Sequence, residues 1–186
     1  MPPDPVDSGR RPHVEELAVR ARSGEPSAVD QLLEAVRPGV LEQCGRFLPN
    51  RQDAEEACQD TLLAVARRIT TFEGRSQFST WLHAVTANCC LATYRTLKRR
   101  AAGVAPAAPG EHPDPRTTSV IAGSRIDLLD ALEQIEAAHP QLVPPVVLRD
   151  VCGLEYAAIA SELDVPLGTV RSRIHEGRSH LRRLLA

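Results

Sequence analysis

The sequence predicts an all-α protein built from two small helical domains. Aromatic residues are only 3% of the 186 residues, so Leu, Val, Ile and Ala must form the core, with few alternating β-branched runs. Apolar positions recur at spacings of three and four in two long blocks, the period of an amphipathic helix. Between the blocks, "RRAAGVAPAAPGEHPDPRTTS" (residues 99 to 119) is dominated by Ala, Pro and Gly and keeps no hydrophobic period. That composition predicts a flexible linker. The chain therefore divides into a disordered tail at 1–12, a first domain at 13–100, a linker at 101–123 and a second domain at 124–186.

Charge and composition narrow the class. Hydrophobic residues at 42% suffice for a core, and charged residues at 25% fit a soluble protein. No apolar run approaches the ~18 residues needed to span a bilayer. The start, "MPPDPVDSGRRP", has no apolar segment of the kind a signal peptide needs, which points to a cytoplasmic address. Five cysteines form no CxxC pair and have no histidine at zinc-finger spacing. Cys44, Cys58 and Cys89 fall on apolar stripes, which predicts reduced, buried thiols. No metal or other cofactor is implied. No Walker-type glycine loop, HExxH helix or Ser/His/Asp order appears, so nothing points to an enzyme.

In the first block, "DAEEACQDTLLAVARRI" places Ala54, Cys58, Thr61, Leu62, Val65 and Ile69 on one stripe, and Asp53 with Glu56 resembles a capping box. Glu55, Glu56, Gln59 and Asp60 lie off that stripe, where a plain solvated face is the simpler reading. A loop follows over Phe72 to Gln77, broken by Gly74, with Ser76 or Ser79 expected to cap the next helix. That helix should bury Phe78, Leu82, Val85, Cys89 and Ala92. At about 100° per residue, Trp81, Asn88, Arg95 and Arg99 share a ledge beside the core. Arg95, Lys98, Arg99 and Arg100 form a local positive excess in a chain of net charge −2. Such a cluster is a phosphate-binding footprint, or else cations decorating a helix C-terminus.

The second block closes with "LEYAAIASELDVPLGTVRSRIHEGRSHLRRLL", which reads as helix, tight turn, helix. Asp164-Val165-Pro166 makes the turn. Val170, Ile174, Gly177, Leu181 and Leu184 or Leu185 should face inward. Thr169, Arg171, Ser172, Arg173, His175, Glu176 and Ser179 lie around the remaining surface. A helix-turn-helix presents this N-terminal outer face to the major groove, where arginines reach guanine edges or phosphates. The basic segment is local because only that face must meet DNA.

In this order, "DAEEACQDTLLAVARRI", "FSTWLHAVTANCCLATYRTLKRR" and "VPLGTVRSRIHEGRSHLRRLL" resemble a bacterial sigma factor of the extracytoplasmic-function (ECF) group. The resemblance implies a sigma-2 domain that reads and melts the −10 element, and a sigma-4 domain that reads the −35 element. It implies core RNA polymerase as partner, through the β′ clamp helices and the β flap, together with promoter DNA and an anti-sigma factor. Asp53, Glu56, Gln59, Asp60 and Leu63 then become the polymerase-docking face. Phe72, Gly74, Arg75, Ser76, Trp81, Asn88, Arg95, Lys98 and Arg99 become the −10 face. Thr169, Arg171, Ser172, Arg173, His175, Glu176 and Ser179 become the −35 face. Three positions depart from the family pattern. Glu176 stands where a basic residue is usual, Pro144-Pro145 should delay a helix start, and the −10 helix carries Thr86 and Cys89-Cys90 where basic or acidic residues are frequent. Two rival readings are a stand-alone helix-turn-helix regulator and a thiol- or metal-dependent signalling protein.

Overall fold

A computed structural model describes residues 7–103 and 120–186, with side chains over 13–101 and 124–186. Among these the structure is all-α and contains no strand. The first block holds α1 (Asp7–Arg22), α2 (Pro26–Phe47), α3 (Arg51–Arg68) and α4 (Phe78–Gly103), with a short 3-10 turn at Ile69–Thr71 before the loop into α4. The second holds α5 (Val120–Ala138), a 3-10 turn at Pro140–Leu142, α6 (Val143–Asp150), α7 (Tyr156–Leu163) and α8 (Leu167–Leu184). Helix α1 begins inside the expected tail, and α4 and α5 run into the expected linker from either side. The rest of those two segments, 1–6 and 104–119, lies outside the described residues.

Local chemistry explains where the helices start, and it differs from the sequence reading in three places. Asn50, not an Asp53–Glu56 box, caps α3, because its side-chain oxygen accepts from the Gln52 backbone N–H at 2.9 Å. Neither Ser76 nor Ser79 caps α4 through its side chain. Glu15 of α1 does so instead, accepting from the Phe78 and Ser79 amides at 2.9 and 3.0 Å. A carboxylate at a helix N-terminus also suits the helix dipole. Pro144 and Pro145 do not delay α6. They occupy its first turn, where the missing N–H groups have no intrahelical acceptor anyway.

The core shows a further difference. Helix α3 buries Ala54, Cys58, Thr61 and Val65, and Ile69 is buried in the 3-10 turn that follows, as the periodicity predicts, whereas Leu62 is only half-buried. Helix α4 buries Phe78, Val85, Thr86, Cys90, Leu91 and Thr93, whereas Cys89 is only half-buried and Ala92 is exposed. The predicted stripe is too narrow because α4 packs against α1, α2 and α3 on one side and against α6 and α7 on the other. Threonines enter this core at little cost, since Thr86 donates its hydroxyl proton to the Leu82 carbonyl at 2.8 Å.

The two blocks pack together. Leu129, Leu132, Ile135, Leu142, Val143 and Val147 of the second block join the same apolar cluster as Val85, Cys90 and Leu91 of α4. A smaller cluster of Leu148, Ile159, Val170 and Ile174 holds the helix-turn-helix, and Ala84 of α4 packs against it. Within the second block α8 approaches α6 closely at Gly177. A Cβ there would lie 2.5 Å from Val146 Cγ2. Gly177→Ala is therefore expected to cost about 1–3 kcal/mol through overpacking. Chemical denaturation checks this, and an unchanged midpoint would show that α6 and α8 can part freely.

Candidate functional site

Three surfaces carry the residues of interest. On α3, Glu56, Gln59, Asp60 and Leu63 are exposed, Leu63 to 52%, while their neighbours Ala54, Ala57 and Thr61 are buried. Spacings of three and four put these outward residues on one ridge. Asp53 sits half-buried at the ridge's end, and desolvation, with a smaller contribution from Glu56, raises its carboxyl pKa. The structure thus brings four of the five predicted docking residues into solvent as a mixed acidic and apolar strip.

The second surface is the loop into α4 and the helix it feeds. Gly74 adopts φ +74°, which an L side chain rarely takes, and a Cβ there would also meet Arg22 Nη1 at 2.9 Å. Phe72, Phe78 and Trp81 form an aromatic cluster, with ring centroids 5.3 Å apart for Phe72–Trp81 and 5.6 Å for Phe78–Trp81. Trp81 is therefore anchored on its aromatic neighbours and only half-buried. Asn88 and Arg99 are exposed farther along α4, and Arg99 donates to Thr96 Oγ1.

The basic residues of this surface are not free. Arg95 pairs with Glu136 of α5, and Lys98 pairs with Asp130 at 2.5 Å and Glu133 at 2.7 Å. The side-chain hydrogen bond from Lys98 holds the Asp130 carboxyl below the usual carboxylate range. In the loop, Arg75 pairs with Glu73 and with Asp164, and Ser76 donates to Glu162. Burial raises the Glu162 pKa, and the Ser76 hydroxyl opposes that shift. The sequence reading did not single out these acids. A signal was available: Asp130, Glu133 and Glu136 repeat at intervals of three, matching the interval between Arg95 and Lys98.

The third surface is the helix-turn-helix. Asp164 closes α7 in the left-handed region, at φ 52°, which a short polar side chain tolerates. Val170, Ile174 and Gly177 are buried, so Arg171, Ser172, His175 and Glu176 point to solvent, while Thr169, Arg173 and Ser179 are half-exposed. Leu184 and Leu185 are both exposed, at 44% and 47%, where the spacing predicts that one of them faces inward; Leu184 is the last residue of α8 and Leu185 its C-cap. The cysteines do not form a metal site. Among the described residues no group of three or more His, Cys, Asp or Glu is placed to hold an ion. Nor is any helix there long and apolar enough to cross a membrane.

The second block carries a helix-turn-helix with an exposed polar and basic face, and α3 carries an acidic ridge, the marks of a DNA-recognition protein. Residues 32–100 match Sigma-70 region 2, and residues 145–181 match Sigma-70, region 4. The ECF RNA polymerase sigma factor SigE of Mycolicibacterium smegmatis is 35% identical over 178 residues, covering 91% of this chain and 67% of that protein. The RNA polymerase sigma-H factor of Pseudomonas aeruginosa is 28% identical over 182 residues, covering 92% and 93%. The ECF RNA polymerase sigma factor SigW of Bacillus subtilis is 26% identical over 180 residues, covering 89% and 93%. A solved structure of CnrH in complex with the cytosolic domain of CnrY shares the fold, with a TM-score of 0.53 at 21% identity, over 92% of this chain and 96% of that one.

The chain belongs to the sigma-70 family, in its extracytoplasmic-function group. It binds core RNA polymerase and directs promoter-specific initiation by recognising −35 and −10 elements. Family members act as DNA-recognition subunits.

The aromatic cluster gives a direct prediction. Trp81 is the chain's single tryptophan, so its emission reports that site alone. Phe72→Ala removes its nearest ring neighbour. The emission should shift to the red, with a stability loss of about 1–3 kcal/mol for lost ring packing at a half-buried position. An unchanged spectrum would mean that Phe72 does not hold Trp81.

Proposed function

We propose that the three surfaces divide the work of initiation among them, over a first domain at 13–100 and a second at 124–186. The α3 ridge of Asp53, Glu56, Gln59, Asp60 and Leu63 docks on the β′ clamp helices of core polymerase. Phe72, Gly74, Arg75, Ser76, Trp81, Asn88, Arg95, Lys98 and Arg99 engage the −10 element. An unstacked base needs an amide and an aromatic wall, which Asn88 and the Trp81 cluster can supply. Thr169, Arg171, Ser172, Arg173, His175, Glu176 and Ser179 read the −35 element, while the second domain meets the β flap. The protein works in the cytoplasm, without catalysis of its own, and an anti-sigma protein that covers its binding faces regulates it.

The observation that carries this reading is the α8 face: core positions seat the helix, and Arg171, Ser172, His175 and Glu176 are left outside together. Glu176 adds a specific expectation. A carboxylate in the major groove repels phosphate but accepts from cytosine N4, so the −35 element should carry a cytosine there.

Two experiments test the assignment. Reversing the charge at Glu56 and Asp60 to Lys should weaken binding to core polymerase by about 2–5 kcal/mol while leaving the fold intact. Unchanged affinity would make the ridge a solvated surface only. Arg171→Ala should lose closed-complex affinity, by about 1–3 kcal/mol for a bidentate base contact. Asn88→Ala should instead impair strand opening. In permanganate footprinting, a pre-melted −10 template should rescue Asn88→Ala more than Arg171→Ala, and equal rescue of both would contradict the assignment.

A further inference from the structure

Helix α8 is held against α6 by two unlike contacts that adjoin in sequence. At Gly177 the α8 backbone lies against Val146, and Val170 and Ile174 join Leu148 of α6 and Ile159 of α7 in one apolar cluster. Apolar contact is non-directional, so this seat fixes how near α8 lies to α6 but not how it is turned about its own axis. The next residue, Arg178, is held differently. Its Nε donates to Asp150 Oδ2 at 2.9 Å and its Nη2 to Asp150 Oδ1 at 2.5 Å, a two-bond fork from α8 to the last residue of α6. Such a fork is planar and directional.

Helix α7 supports the same point. Hydrogen bonding to Asp150, with a smaller contribution from Tyr156 at the start of α7, raises the Arg178 pKa further above its ordinary value. Tyr156 is itself fixed by Arg149, whose guanidinium carbon lies 4.8 Å from the ring centroid and whose Nη1 donates to the Leu154 carbonyl at 2.8 Å. Two adjacent residues of α6, Arg149 and Asp150, therefore tie that helix to both helices of the helix-turn-helix. Arg178 and Asp150 keep 43% and 33% exposure, so their pair adds little stability beside the buried apolar layer. What it adds is direction, which the apolar seat lacks.

Direction matters on this helix. Arg178 stands seven residues after Arg171, about 20° short of two full turns, so the two share one flank of α8. At a side-chain radius of about 5–6 Å, turning α8 by about 20° moves its outer face by about 2 Å. A recognition constellation has to be held within about 0.5 Å and 10–20°.

We infer that Arg178 is a positioning residue for −35 recognition: its fork on Asp150 sets the rotation of α8 on α6, and so the aim of Arg171, Ser172, His175 and Glu176, without a DNA contact of its own. The inference rests on the assignment of that face to the −35 element. Sequence discrimination then depends on a pair of residues that lie outside the reading face.

The test uses holoenzyme made from the full chain and core polymerase, with a −35 element that the wild-type holoenzyme selects from a library randomised there. Affinity is measured for that element, for each single-base change in it and for a scrambled element, over a range of salt. The variants are Arg178→Lys, which keeps the charge and loses the fork, Asp150→Asn, which leaves one acceptor, and the two combined. Arg171→Ala and Glu176→Gln mark the base pairs that the face reads. Arg178→Lys and Asp150→Asn should each cut discrimination at those base pairs by about tenfold, while affinity for the scrambled element and the salt slope stay unchanged. The combined variant should lose no more than either single one, because all three remove the same fork. Full discrimination in Arg178→Lys, where Arg171→Ala and Glu176→Gln lose theirs, would overturn the inference alone. So would additive losses in the combined variant. Equal losses on the selected and scrambled elements would also overturn it. A salt slope lower by about one would then make Arg178 a phosphate contact, and an unchanged slope would make the pair a matter of stability only. No loss in either Arg171→Ala or Glu176→Gln would overturn the −35 assignment, and the inference with it.

Discussion

Helix α4 has to serve two cores at once, and that double use constrains the rest of the structure. One side carries Val85, Cys90 and Leu91 into the cluster shared with α2 and α3, and Ala84 touches the cluster that seats the helix-turn-helix. Each fully buried aliphatic side chain contributes on the order of 1.5–3 kcal/mol, so the apolar layer rather than any polar contact sets the alignment of the blocks. The outer residues of α4 add little to this layer: Asn88 and Arg99 are exposed, while Arg95 and Lys98 pair with acids of α5. Glu15 fixes the start of α4 from another helix and so aligns the loop and its aromatic cluster with α1.

The polar rim around this layer is weak by comparison. The partners of the Arg95–Glu136 and Lys98–Glu133 pairs retain between 33% and 48% exposure. Exposed ion pairs contribute roughly 0–1 kcal/mol each, and salt screens them further. They select which surfaces meet more than they hold them together. A polyanion or a protein partner competes with such pairs on nearly equal terms. Acids slightly outnumber Lys and Arg over the whole chain, 24 to 22, although α4 and α8 carry local clusters of basic residues.

Much of this was legible in the sequence. The all-α class, the α3 stripe and the turn at Asp164-Val165-Pro166 follow from local period and turn chemistry, and the structure bears them out. Features that depend on distant residues did not. The cap of α4 comes from Glu15, 63 residues away, where a local serine was the natural expectation. The α4 stripe was read one-sided because periodicity shows that a helix has a buried face but not how many neighbours share it. The basic cluster was read as a phosphate-binding footprint or as cations decorating a helix C-terminus, and its ion pairs were missed because the acids lie in the second block, beyond the range of any local pattern. The α3 ridge was ambiguous for the opposite reason, since a solvated acidic face and a docking face have the same composition.

Pulsed electron paramagnetic resonance gives the most direct test of the central claim, that α4 is shared between the two blocks in the free protein. Spin labels carried by unnatural residues at the exposed positions Gln31 of α2 and Ala137 of α5 would report the interblock distance. One narrow short-distance population in the free chain is the predicted result. A broad distribution that reaches long distances would contradict it.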